Sequence, residues 1–237
     1  MAVLSIETSG FTGGVAVSEE GGPWAELTVG SKSTYSRRLM RAIIFILEET
    51  GLGWKDIDTV AVSLGPGSFT GLRIGLSTAK GLCLATGAAI VGVPTLDILA
   101  QNAALAPKDS LICPVIDARR GQIYCALYRP GQGLARRISD YLVINPRELV
   151  GKVSETCQIV FLGTGLAPYK QTIAELFGNR AVIAPKHLWY PRPFLCANMG
   201  KEMIKAGQGP QDPVTLSPLY LRLSEAEEKK KANEEAD

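Results

Sequence analysis

The sequence predicts an α/β protein of two lobes, each a mixed sheet flanked by helices. Two observations carry that prediction: strands alternate with helices after an opening meander, and the opening hairpin is restated 110 residues further along. A third sets the scale, since 237 residues with 46% hydrophobic and 20% charged side chains can bury one large core or two small ones.

Residues 3–8 are apolar and alternating, residues 9–14 form a Gly/Ser/Thr turn, and 15–18 resume the alternation, which is the pattern of a β-hairpin. A third strand is expected over 24–29. Hydroxyls within 33–36 offer caps for a helix over 37–50, which Gly51 and Gly53 stop. A buried strand over 59–64 runs through Gly65-Pro66-Gly67-Ser68 into a second helix over 69–86, followed by a strand over 89–93 and a third helix over 95–105.

Then the opening repeats. Residues 111–117 form an apolar strand ending in an acid, and 121–128 alternate after a tight turn, so Leu4-Ser5-Ile6-Glu7 lies over Pro114-Val115-Ile116-Asp117. Two lobes, each begun by an acid-tipped hairpin, are the layout of the actin and sugar-kinase superfamily. Chance likeness between two hairpins is the plainer alternative. Strands over 138–144 and 158–162, a short helix start over 146–150, helices over 166–177 and 194–205, and an extended segment over 213–223 complete the body. The expected division is 1–107 for an N-terminal lobe with partner-binding helices, 108–223 for a smaller second lobe whose last helix packs back on the first, and 224–237 for a disordered charged tail.

The formal charge of +2 hides an asymmetry, because residues 224–237 carry six acids and three lysines and leave the rest at +5. No dense Lys/Arg run appears in the body, so a dedicated nucleic-acid face is not expected. Five cysteines without a C-x-x-C pair suit neither a disulfide framework nor a zinc site and read as reduced, mostly buried thiols. The chain opens almost directly into a strand and contains no uninterrupted 18-residue apolar run, so neither a targeting segment nor a membrane span is expected, and the cytoplasm is the expected compartment.

The most specific motif is Gly65-Pro66-Gly67-Ser68-Phe69-Thr70-Gly71-Leu72-Arg73-Ile74-Gly75. It is a strand end, a glycine turn, a capping Ser68 and a helix start whose free N–H groups can face an anion. It lacks the Gly-Lys-Ser/Thr of a P-loop, and Ser68 does not sit in the G-x-S-x-G context of a hydrolase nucleophile. Glycines inside a helix each cost about 1 kcal/mol against alanine. Gly71, Gly75 and Ala79 nevertheless stand at i, i+4 and i+8, a smooth stripe on which another helix can lie closely. In the preceding helix Ala42-Ile43-Ile44-Phe45-Ile46-Leu47 leaves no polar side, so one face enters the core and the other needs a cover. A partner surface is therefore expected over Arg37, Met40, Arg41, Ile44, Phe45, Gly71, Leu72, Arg73, Gly75 and Ala79, with two-sided internal burial as the alternative. Arg73 opposes the helix dipole in its first turn, which a carboxylate or phosphate from outside would relieve.

Glu7, Thr8, Ser9, Gly10 and Asp117 form a candidate nucleotide loop at the tips of the two hairpins. Strand-end hydrogen bonds, with Arg119 beside Asp117, are the simpler use of these acids. No catalytic residue and no metal site is expected, because His187 is the only histidine and no base or phosphate clamp stands out.

The Gly65-to-Gly75 string, Leu4-Ser5-Ile6-Glu7-Thr8-Ser9, Ile116-Asp117-Ala118-Arg119-Arg120-Gly121-Gln122-Ile123-Tyr124, Leu162-Gly163-Thr164-Gly165 and Pro218-Leu219-Tyr220-Leu221-Arg222 together resemble the bacterial TsaB (YeaZ) family, in order along nearly the whole chain. That resemblance implies the actin-like ATPase (ribonuclease H-like) architecture. It also implies a non-catalytic role in making threonylcarbamoyladenosine on tRNAs that read codons beginning with A. The implied partners are a TsaD-type transferase, bound through the two N-terminal helices, and a TsaE-type ATPase. The chain alone is expected to form a homodimer and to meet tRNA only through the complex, with no cofactor of its own and ATP or ADP, if present, at the partner interface. Glu7 stands where the family generally has aspartate, and Tyr35 where it often has histidine. An autonomous small-molecule kinase or ATPase of the same superfamily is the alternative reading.

Overall fold

The computed structural model describes residues 1–30, 35–131, 133–153 and 156–222. The expected tail at 224–237 and the hydroxyls of Ser33 and Thr34 lie outside the described residues.

The first sheet is built from β1 (Ala2–Glu7), β2 (Thr12–Glu19), β3 (Trp24–Gly30), β4 (Thr59–Gly65) and β5 (Ala89–Pro94), in the order β3-β2-β1-β4-β5. β1 pairs antiparallel with β2 and parallel with β4, and β4 pairs parallel with β5. The second sheet centres on β6 (Leu111–Arg119) with β7 (Gln122–Cys125), β8 (Tyr128–Arg129), β9 (Arg136–Arg137), β10 (Leu142–Ile144), β11 (Ile159–Leu162) and β12 (Ala181–Ile183). Here β6 again has an antiparallel hairpin partner, β7, on one side and a parallel strand, β11, on the other. The restated hairpin in the sequence is thus a restated topology.

Both faces of the first sheet are covered, which is why β1 is buried along its whole length. Leu4, Ile6, Val15 and Val17 meet Ile43, Ile46 and Leu47 of α1 (Tyr35–Thr50) and Leu76 and Ala79 of α2 (Phe69–Thr86). On the other face Val3, Ala61, Val91 and Val93 meet Cys196 and Ala197 of the final helix. In the second sheet Val115 and Phe161 pack on Ile173 and Phe177 of α4 (Leu166–Phe177). Leu96, Leu99 and Ala100 of α3 (Thr95–Ala100) pack on Ile112, Tyr128 and Leu162 from the opposite face. α5 (Pro193–Lys205) lies on the first sheet, fixed by Ser5 Oγ donating to the Pro193 carbonyl at 2.6 Å and by Lys201 Nζ donating to Ser18 Oγ at 2.8 Å.

Several elements differ from the sequence expectation, among them β9, a two-residue strand that was not expected. The third helix ends at Ala100 and continues only as a 3-10 turn over Gln101–Ala103, because the Gln101 side chain turns inward and exchanges hydrogen bonds with the Ala135 backbone. The strand expected over 121–128 is split into β7 and β8. That over 138–144 survives only as β10, since Ser139 Oγ takes the Leu127 amide at 2.8 Å and displaces a ladder partner. β12 is an addition of three residues. The segment after α5 docks as expected, with Leu219 N donating to the Leu64 carbonyl at 2.8 Å and Leu216 against the first core.

Candidate functional site

Two surfaces gather the candidate residues, the N-terminal helix pair and the cleft between the sheets. The turn before α2 fixes where the first begins. Ser68 N donates to the Ser9 carbonyl at 2.6 Å, and Ser68 Oγ accepts from Gly71 N at 3.2 Å, so Ser68 is the N-cap that its position suggests.

The glycine stripe has a different use from the one expected. A Cβ on Gly71 would collide with the Thr8 carbonyl, and one on Gly75 with Thr8 Oγ1. Leu72 and Ala79 are buried on the same side. The missing side chains therefore let α2 settle on the end of the chain's own β1. Gly71, Leu72, Gly75 and Ala79 are corrected from partner-facing to core residues. Arg73 also finds its compensation at home, as its guanidinium lies 3.8 Å over the Phe69 ring and its Nε donates to Tyr220 Oη at 3.2 Å. Phe69 and Tyr220 stack at 5.3 Å beside it.

The outer face of α1 is open. Met40, Ile44 and Phe45 remain 42%, 43% and 49% exposed, whereas Ile43 and Ile46, between them in sequence, are sealed in the core. Arg37 and Arg41 are exposed on the same helix, which has no acid in its first turn. Beside this face lies a pocket of about 250 Å³ between α1 and the β2–β3 ribbon, walled by Leu27, Val29, Tyr35, Arg38, Ala42 and Phe45. Arg38, which the sequence pattern did not single out, stands 4.8 Å over the Tyr35 ring, and its Nη2 is buried without a hydrogen-bond partner among the described residues. The only sequence signal for it was three arginines in the first two turns without an acid.

A cleft of about 870 Å³ separates the sheets, lined by Ser9, Gly10, Gly67, Thr95, Asp117 and Arg222 among others. Glu7 and Thr8 are not available to it, being fully buried. Glu7 Oε1 accepts from both Ser9 N and Ser9 Oγ at 2.6 Å, while Oε2 has no partner among the described residues. Burial lifts this carboxyl from its ordinary 4.5 to about 7, against the lowering effect of the Ser9 hydrogen bonds. The candidate nucleotide loop is corrected accordingly: Ser9, Gly10 and Asp117 face the cleft, and Glu7 and Thr8 support it from beneath. Asp117 accepts from Arg119 N at 2.8 Å and pairs with the Arg119 guanidinium at 3.4 Å. Among the described residues no group of three His, Cys, Asp or Glu side chains could hold a metal ion, and no helix is long and apolar enough to cross a membrane.

Fold and site together define an α/β protein of two mixed sheets with a repeated strand topology and an exposed helix face beside the first sheet. A family model described as TsaD, tRNA N6-adenosine threonylcarbamoyltransferase, matches residues 30–230. The chain is 36% identical to the tRNA threonylcarbamoyladenosine biosynthesis protein TsaB of Bacillus subtilis over 97% of each chain, and 31% identical to that of Escherichia coli over 70% of this chain and 72% of the relative. The structure of YeaZ from Pseudomonas aeruginosa superposes with a TM-score of 0.79 at 26% identity, covering 93% of this chain and 99% of that one. The chain belongs to the TsaB family. The family model carries the transferase's name, but these relatives carry TsaB's, and that of Bacillus subtilis matches nearly end to end.

Proposed function

We propose that this chain is a non-catalytic subunit required for threonylcarbamoyladenosine formation on tRNAs that read codons beginning with A, and that it binds and activates a TsaD-type transferase. The outer face of α1 carries this reading, because Met40, Ile44 and Phe45 form an apolar band that no other part of the described chain covers. Arg37 and Arg41 are exposed on the same helix. The relatives' names supply the pathway, since those of Bacillus subtilis and Escherichia coli are both called tRNA threonylcarbamoyladenosine biosynthesis proteins.

A subunit that works by contact needs a rigid back to its binding face, and α1 has one in Leu39, Ile43, Ile46 and Leu47. Holding the transferase in its active shape, the chain meets tRNA only through the complex, in the cytoplasm. A TsaE-type ATPase joins the pair, with ATP or ADP at the subunit interface. Alone, the chain pairs with a second copy through the same face. An antiparallel pair of α1 helices would set Arg37 and Arg41 of one copy near Glu48 and Glu49 of the other.

The experiment is reconstitution of the modification on an unmodified tRNA with the TsaD-type subunit, the TsaE-type ATPase and a threonylcarbamoyl donor, with and without this chain. Modification only in its presence supports the reading. Equal modification without it, or turnover of magnesium-ATP by this chain alone, refutes it.

A further inference from the structure

We propose that the pocket between α1 and the β2–β3 ribbon is the anchor point of the partner interface, and that it takes an apolar side chain next to a carboxylate on the TsaD-type subunit. The proposal rests on the reading above and adds the chemistry of what the partner must present.

Three observations converge on it. The pocket walls are apolar where Leu27, Val29, Ala42 and Phe45 contribute, so they accept a hydrocarbon group and gain by excluding water from it. Arg38 lines the pocket, its Nη2 is buried and has no acceptor among the described residues, and a buried donor on a charged group is costly until one arrives. An acid is the acceptor that suits this end of the helix. Arg37, Arg38 and Arg41 lie in its first two turns, oppose its dipole, and form no ion pair among the described residues. A carboxylate entering the pocket, with the Arg38 guanidinium turned from the Tyr35 ring to meet it, relieves both deficits together. The pocket is continuous with the exposed band, since Phe45 belongs to both. A second copy of this chain also carries acids, Glu48 and Glu49, one turn from its exposed Ile44 and Phe45, so self-association through the same pocket is the competing outcome that the test separates.

The test measures binding of a purified TsaD-type subunit to the full chain and to Arg38→Gln, Ala42→Phe and Phe45→Asp variants at several salt concentrations. Urea unfolding establishes that each variant is folded, and sedimentation follows self-association. Arg38→Gln should weaken the heterodimer about 10- to 100-fold, the range for a lost charge-assisted hydrogen bond, and flatten its salt dependence. Ala42→Phe fills the pocket without altering charge and should weaken binding at every salt concentration. Heterodimer affinities of both variants within twofold of the parent, with Phe45→Asp still abolishing binding, would overturn the pocket while sparing the interface. Weakening of self-association alone would overturn it as well. If Phe45→Asp also binds like the parent, the interface reading itself fails.

Discussion

The Tyr35 hydroxyl donates a hydrogen bond to the Gly10 carbonyl at 2.5 Å, which ties the first turn of α1 to the turn that edges the cleft. Burial and the nearby Glu7 carboxyl push this hydroxyl up to about 12, so it remains a donor at any working pH. Tyr35→Phe keeps the ring under Arg38 and removes only the bond. It should cost about 1 kcal/mol of stability, read as a lower urea midpoint with an unchanged slope.

Two glycines of α2 should respond to alanine with opposite sign. Gly71→Ala drives a methyl into the Thr8 backbone carbonyl, which no rotamer change relieves, and should destabilise by about 1–3 kcal/mol. Gly81 has open space around its Cβ position, so Gly81→Ala should stabilise by up to about 1 kcal/mol through helix propensity. Thermal melts of the two variants side by side give the result. A shared sign would mean that the stripe does not pack on Thr8.

Stability should fall as pH rises through the range set by Glu7. In the folded chain the buried carboxyl holds its proton up to about pH 7, whereas in the unfolded chain it ionises from about 4.5. The folded state therefore binds more protons between those values. Its advantage, full below 4.5, is lost as pH climbs past 7, by about 3 kcal/mol in all. Glu7→Gln cannot titrate, so the gap between parent and variant unfolding free energies should change by that amount between pH 4.5 and 8. A constant gap would show that Glu7 is already ionised in the fold. The Asp97 carboxyl, raised by burial beside Tyr128 and Tyr141, adds a slope of the same sign to both proteins and cancels in the difference.

The first lobe was legible where local chemistry brackets an element. α2 runs over the expected 69–86 because Ser68 caps it and Gly87, at φ +78°, ends it, and α4 likewise fills 166–177 between Gly165 and Gly178. In the second lobe strands of two to four residues are too short for alternation to show, and Ser139 breaks one by a side-chain bond that no periodicity predicts. The site divides in the same way. An all-apolar run over Ala42 to Leu47 offers two apolar sides, to be covered by a partner or by the chain itself, and Ile44 and Phe45 are the side left open. A stripe of glycines says only that something comes close, and the sequence does not reveal that the neighbour is Thr8 of the same chain. The sequence marks Glu7 as an acid at a strand tip, but whether it faces the cleft or the core depends on the two-residue turn back to Ser9, which no periodicity encodes.

Adjacent isoleucines on α1 separate folding from binding. Ile43 is fully buried against the first sheet, whereas Ile44 is 43% exposed beside Phe45. At 100° per residue the two point to different sides, so the same substitution meets core at one and solvent at the other. Ile43→Asp would bury an unpaired carboxylate, a change that costs several kcal/mol and should unfold the chain or raise that carboxyl's pKa enough to make stability strongly pH-dependent. Ile44→Asp should leave the urea midpoint within about 0.5 kcal/mol of the parent, as surface substitutions do. It should still abolish co-elution with a TsaD-type subunit, because an acid in the middle of an apolar band must be desolvated on docking. Circular dichroism, urea unfolding and size-exclusion chromatography on the two variants decide the matter. An Ile44→Asp chain that is folded and still co-elutes would show that the transferase binds elsewhere.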